Sequence, residues 1–159
     1  MRKTSYVLAR RSGDWPPADM LGKYYSELIR QSRFFDARND CGVFSGEGLY
    51  GTESLEQKTG RVDVDLYFNV HPEHGIFFQY TKWDGRVKQL HVFCAKGNLA
   101  RRKEFVNTFA GSLRSVGLFV PLENGIAALA EFIGTGGELP PSIEWVAADE
   151  LPPDTFPIP

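Results

Sequence analysis

With 159 residues, a hydrophobic share of 42% and an aromatic share of 13%, the chain carries enough apolar material for one folded core and is neither a disordered nor a collagen-like polymer. A net charge of −2 excludes global charge as the basis for choosing a polyanionic partner. The longest apolar runs span only a few residues, against the roughly 20 that a membrane-spanning helix needs.

Tyr6 to Ala9 reads as a first strand; this apolar stretch is too short for a secretory segment, so the cytoplasm is the expected compartment. After the loop at Ser12–Pro17, Met20, Leu21, Tyr24, Leu28 and Ile29 line one stripe and predict a helix over 18–32. From Arg33 to Gly60, glycines at 42, 46, 48, 51 and 60 interrupt short apolar pieces, which predicts one or two short irregular strands. Residues 61–95 are the clearest stretch. Val62, Val64, Leu66, Phe68 and Val70 recur with period two, the turn at His71–Gly75 leads into a second strand at Ile76–Trp83, and Asp84–Gly85 leads into a third ending at Ala95. In that third strand Leu90, Val92 and Cys94 are expected inward and His91 and Phe93 outward.

Asn98 is a candidate cap for a helix over 100–116, with Phe105, Phe109, Leu113 and Val116 spaced by four, four and three. Leu122, Ile126, Leu129, Ala130 and Ile133 predict another helix over 122–133. Beyond about residue 136 the tail is acidic and punctuated by six prolines, with only Ser142–Val146 free to form a strand. The expected architecture is a single α+β domain: an antiparallel meander sheet of four to six strands, with about three helices packed mainly on one face.

The chemistry-bearing residues support several readings. Asp63, Asp65 and Tyr67 share the wet side of the first meander strand, the two carboxylates roughly 7 Å apart. An exposed strand face with carboxylates beside aromatic rings suits a basic protein partner. Phe77, Trp83 and Phe93 are candidates to extend it, if the N-terminal strand, residues 43–50 or the tail leave that face uncovered. His71, Glu73 and His74 fall in one turn, and with His91 they form the candidate set for a metal- or ligand-binding enzyme, although three or four convergent donors are required. Neither a metal nor another cofactor is expected.

Between Arg86 and Arg114 there are seven basic residues against one acidic, whereas Glu138, Glu144, Asp149, Glu150 and Asp154 occupy a tail without Lys or Arg. Arg101, Arg102 and Lys103 bind nucleic acid only if they form a continuous stripe with Lys96 and Arg114; pairing with the acidic tail is the commoner arrangement. Gly46-Glu47-Gly48-Leu49-Tyr50-Gly51 approximates a phosphate-loop spacing but lacks the strand before it and the helix after it. Cys41 and Cys94 lie far apart in no CxxC arrangement and are expected to be reduced, with at least one buried.

The short chain, the central meander, the surface carboxylates and aromatics Asp63, Asp65, Tyr67 and Trp83, and the lack of an enzyme motif together resemble the small immunity proteins of bacterial polymorphic-toxin and contact-dependent-inhibition systems. That resemblance implies a cognate protein toxin as partner and neutralisation through a tight stoichiometric complex; the short apolar runs predict no membrane association. The expected contact residues are Asp63, Asp65, Tyr67, Trp83, Glu144, Asp149 and Glu150.

Overall fold

The computed structural model describes residues 1–7, 10–31, 36 and 39–157. Its centre is the expected meander. Strands β1 (Arg2–Val7), β2 (Arg10–Ser12), β3 (Cys41–Glu47), β4 (Val62–His71), β5 (Gly75–Asp84) and β6 (Gln89–Ala95) lie in one antiparallel sheet. A hairpin, β7 (Phe105–Asn107) with β8 (Leu113–Ser115), stands apart from it. The two-residue β9 (Phe119–Val120) joins the main sheet beside Ile76 and Phe77 of β5, and β10 (Trp145–Ala147) closes the far edge against β6. The order is β10-β6-β5-β4-β3-β1-β2, eight strands with β9, and the fold is α+β with an antiparallel sheet. Ala9, the end of the expected first strand, and much of 32–38 lie outside the described residues.

Two α-helices cover one face. Helix α1 (Ala18–Arg30) buries Leu21, Tyr25 and Leu28, and α2 (Leu122–Thr135) buries Gly125, Ala128, Leu129 and Phe132. Both pack on the side of β4 that carries Val62, Val64, Leu66, Phe68 and Val70, all at most 2% exposed. Phe68 forms an aromatic centre with Tyr25 and Phe44, each 5.9 Å away between ring centroids, and Phe78 at 6.3 Å. Trp15 seals one end, donating from Nε1 to the carbonyls of Thr4 and Ser45 at 3.1 and 3.0 Å. Helix α2 ends where Gly136 enters the left-handed region (φ 73°), its N–H and that of Gly137 returning to Ile133 and Phe132.

The third expected helix is absent among the described residues. The 100–116 segment instead forms a short 3₁₀ turn, Leu99–Arg101, followed by the β7–β8 hairpin. Asn98 does cap, accepting from the Ala100 N–H at 3.2 Å, but the turn stops within three residues. The loop reverses through Thr108 and Gly111, the latter at φ 91°, and the Thr108 N–H donates to the Ser112 carbonyl at 2.8 Å. Phe105, Phe109 and Leu113, spaced as a helical stripe, are all partly exposed on the hairpin.

The second sheet face is half covered. The hairpin, β9 and the tail build a smaller core from Phe77, Cys94, Leu118, Phe119 and Leu151, with Tyr67, Val106 and Val146 packed against it. Register corrects the expectation for the third strand: Gln79 faces Cys94 and Tyr80 faces Phe93, so Phe93 turns toward the helices while Leu90, Val92 and Cys94 share the opposite side with Phe77. Cys94 is buried nonetheless, in the second core, and its thiol is pushed up to about 11 by burial. Cys41 and Cys94 are both free thiols.

Candidate functional site

What remains uncovered is the half of the second face formed by the C-terminal part of β5, the N-terminal parts of β4 and β6, and the neighbouring ends of β3 and β1. Cross-strand pairing assembles it. Asp63 lies opposite Trp83 on one side and Glu47 on the other, and Asp65 opposite Thr81 and Ser45. Trp83 in turn lies opposite Leu90, which is 60% exposed, and Tyr6 opposite Val43 carries the surface onto β1. The result is a shallow surface of acidic and aromatic side chains, with Arg2 opposite Glu47 at its border.

Each acid on it has a different environment. Asp63 accepts a forked pair from Arg61, Nε at 2.8 Å and Nη2 at 3.0 Å, and also the Gly48 N–H at 3.2 Å. Its charge is spent on tying the start of β4 to the turn after β3. Asp65 accepts only the Ser45 hydroxyl among the described residues, and its carboxyl is raised above the ordinary carboxylate range. Desolvation by the flanking strands is the chief cause of that rise even though the side chain reaches solvent, opposed by the Ser45 hydrogen bond and reinforced by the charges of Asp63 and Glu47. A carboxyl whose pKa is raised by folding favours the folded state below the unfolded pKa and loses that contribution as pH climbs through the folded one. Asp65→Asn is therefore expected to melt higher than the parent near neutral pH, the difference closing below about pH 4. Melting curves of both proteins across pH 3 to 8 check this; a difference that widens in acid contradicts it.

Tyr67 and Trp83 are half-buried anchors. The Arg114 guanidinium lies 5.4 Å from the Tyr67 ring centroid and 4.8 Å from that of Phe77, and its Nε donates to the buried Asn69 Oδ1 at 3.1 Å. Trp83 Nε1 donates to the Gln57 carbonyl, which fixes the indole plane over the edge of the acidic patch.

The other expected contact residues lie elsewhere. Glu144 reaches Lys96 at 3.8 Å on the rim of a separate cleft. Asp149 and Glu150 sit in a 3₁₀ turn beside β10, three strand spacings or roughly 14 Å from the β4 carboxylates. Asp63, Asp65, Tyr67 and Trp83 thus come together; Glu144 lies away from them, and Asp149 reaches the patch only at its Leu90 border.

The rival sites come apart. The His71 and His74 rings are neighbours, 4.9 Å between centroids, but His91 pairs with Lys82 on the other face of the sheet, seven residues along β5 from the turn. Among the described residues no group of three or more His, Cys, Asp or Glu side chains is placed to hold a metal ion. The basic residues form no stripe: Arg101 pairs with Glu104, Arg102 and Lys103 both reach Asp154 of the tail, and Arg114 turns inward. Contrary to expectation the glycine motif does follow a strand, since it ends β3, but what comes after is a tight 3₁₀ turn with Tyr50 at φ 59° and not the α-helix that a phosphate loop requires. Tyr50 is a polar hub that the sequence pattern did not mark. Lys82 Nζ donates to its hydroxyl at 2.6 Å, the hydroxyl meets Glu138 at 2.5 Å, and Arg86 stacks 4.9 Å from the ring centroid.

A cleft of about 760 Å³ opens at the opposite end of the sheet between the β4–β5 turn, the loop after β6 and the first turn of α2. Its charged lining is mixed, Lys96 and Arg101 against Glu73 and Glu144, and both cations already have carboxylate partners.

The fold and this surface define a class: an α+β protein whose antiparallel sheet is clad by helices on one side and left half open on the other. In comparisons with known proteins, no family model, no curated protein and no solved structure matches the chain. Among the described residues no helix is long and apolar enough to cross a membrane.

Proposed function

We propose that this chain is a protein-binding module that presents the open half of its sheet to a basic partner, and that the partner is a cognate bacterial toxin held in a tight stoichiometric complex. The observation that carries the binding reading is the patch itself: Asp65, Glu47, Thr81, Trp83, Leu90 and Tyr6 share one face of adjacent strands that, among the described residues, no helix or tail segment packs upon. Large apolar side chains at the centre of an acidic surface match the composition of docking sites, where aromatic anchors dominate affinity and charge steers approach. The toxin assignment rests on the resemblance to immunity proteins, and its consequence is inhibition by covering the toxin's active site or a surface that the toxin needs.

The structure sharpens the test. Reversing Asp63 would break its forked pair with Arg61 and confound binding with stability, whereas Asp65 accepts only a hydroxyl. Where the adjoining gene encodes a large secreted protein, the probe is that protein's C-terminal domain, titrated by calorimetry and followed by stopped flow. Asp65→Lys is expected to slow association about tenfold at low salt and to flatten its salt dependence, with the dissociation rate little changed. Trp83→Ala is expected instead to speed dissociation. Unchanged kinetics in both variants would remove this face from the interface, and failure of the parent protein to form a complex would remove the toxin.

A further inference from the structure

Arg114 is held without a carboxylate. Its guanidinium lies 4.8 Å from the Phe77 ring centroid and 5.4 Å from that of Tyr67, and its Nε donates to Asn69 Oδ1 at 3.1 Å. Among the described residues no acidic side chain forms an ion pair with it. Asn69 is fully buried, and Nδ2 of the same amide has no hydrogen-bond partner among the described residues. Two ring faces, an amide oxygen and an unused amide donor suit a planar guanidinium together with a main-chain carbonyl beside it.

The hairpin that delivers Arg114 is lightly attached. Val106 and Arg114, opposite each other, turn toward the main sheet, whereas Phe105, Phe109 and Leu113 stay partly exposed. A gap of about 60 Å³, lined by Phe77, Leu113, Arg114, Thr155 and Phe156, lies between hairpin and tail. At the tip, Asp40 Oδ2 accepts the Ala110 N–H at 3.3 Å, while Asp40 Oδ1 is buried with no partner among the described residues. Lifting the hairpin therefore gives up little apolar contact and returns water to Asp40 and Asn69, whose stranded polar atoms oppose closure. Its base is tied more firmly, by the Val116 N–H to the Glu104 carbonyl at 2.8 Å and the Ser115 hydroxyl to the Arg102 carbonyl at 2.6 Å. That base is a pivot.

We propose that Tyr67, Phe77 and Asn69 form an arginine-binding site, closed in the free protein by Arg114 and opened to an arginine of the basic partner when the β7–β8 hairpin lifts. The site adjoins the open patch. Tyr67 follows Asp65 on the same face of β4, roughly 7 Å along the strand, so a basic segment steered to Asp65 meets the site one step further on. Arg114 is thus a competitor built into the chain, and the apparent affinity for an incoming arginine falls by the fraction of molecules that are open. Lysine is the poorer occupant, because a compact ammonium cannot lie flat on a ring while donating in its own plane to an amide oxygen. The inference rests on the reading of a basic partner, but the site belongs to this chain and a small probe tests it without that partner.

The probe is N-acetyl-arginine methylamide, with its lysine counterpart as control, titrated into the labelled full chain by NMR. In Arg114→Ala the site is vacant, and the arginine derivative is expected to bind saturably at millimolar concentration, moving the Tyr67 and Phe77 ring signals and the Asn69 side-chain amide. The lysine derivative should bind about tenfold more weakly. In the parent protein the arginine derivative should also lose about tenfold, because Arg114 holds the site. Arg114→Ser is a second vacant form if the alanine variant fails to fold, and the Arg114 Nε–H of the parent reads opening directly: it should exchange well before the amides at the centre of β4. No saturable shift in the folded variant overturns the proposal, as does lysine binding as well as arginine or a parent that binds as tightly as the variant. An Arg114 Nε–H that exchanges only with global unfolding overturns it too. None of these results depends on whether a toxin complex forms.

Discussion

Truncation of Phe68 to alanine is expected to lower the unfolding free energy by about 3–5 kcal/mol. The ring is fully buried at the middle of the central strand, with Tyr25 of α1 edge-on to it, Phe44 beside it on β3 and Phe78 on β5. It therefore joins three strands to a helix, and no single neighbour can refill its volume. Gly42 shows how closely the site is fitted: a Cβ there would lie 2.6 Å from Phe68 Cζ, so the sheet omits a side chain at this point to admit the ring. Such a site collapses poorly when emptied, which places the loss at the upper end of the large-to-small range. Urea unfolding checks it: the midpoint should fall sharply with the slope unchanged. Phe68→Leu, which keeps most of the volume, should cost less than half as much. Equal losses for the two variants would mean that ring shape rather than volume holds the core.

The legibility of this fold followed the strength of its local signals. In β4 the alternation Val62-Asp63-Val64-Asp65-Leu66 coincided with a true division between a helix-covered and an open face, so pattern, register and burial agree. Helix α2 was equally plain, since its apolar stripe ends at glycines that also terminate it. The 100–116 segment misled because a four, four, three spacing of Phe105, Phe109, Leu113 and Val116 satisfies a helix as well as it satisfies two short strands around a turn. What decides is that Val106 and Arg114 point inward to Phe77 and Tyr67, a long-range demand that local periodicity does not contain. The same second core reversed the sense of β6. Leu90, Val92 and Cys94 alternate correctly, but which face receives them depends on pairing with β5. The open patch was visible in part through Asp63, Asp65, Tyr67 and Trp83; the tail acids were grouped with them on charge alone, and the strand order sets them beyond β6, with Asp149 at the Leu90 border and Glu144 on the separate cleft.

Gly125 and Gly134 of the same helix are expected to respond to alanine with opposite signs. Both substitutions gain helix propensity, roughly 1 kcal/mol in an interior position. At Gly134 a Cβ would meet nothing within 4 Å, so Gly134→Ala should stabilise by about 0.5–1 kcal/mol. At Gly125 the Cβ would lie 1.8 Å from Ile76 Cγ2 and 3.1 Å from Ile76 Cβ. Ile76 is fully buried on β5, and its β-branched side chain is restricted at χ1 and has little room to move aside. Relief requires α2 to lift from the sheet, which loosens Leu129 and Phe132 as well as the first turn, where Leu122 and Asn124 form one wall of the large cleft. Overpacking of this severity outweighs the propensity gain, and Gly125→Ala should lose a net ~2 kcal/mol or more. Thermal and urea unfolding of the two variants measure the divergence. An Ile76→Ala background supplies the decisive comparison: with the Cγ2 methyl gone, Gly125→Ala should cost little or nothing beyond the loss due to Ile76→Ala itself. If the penalty persists there, the close approach of helix and strand at this point is not what sets the position of α2.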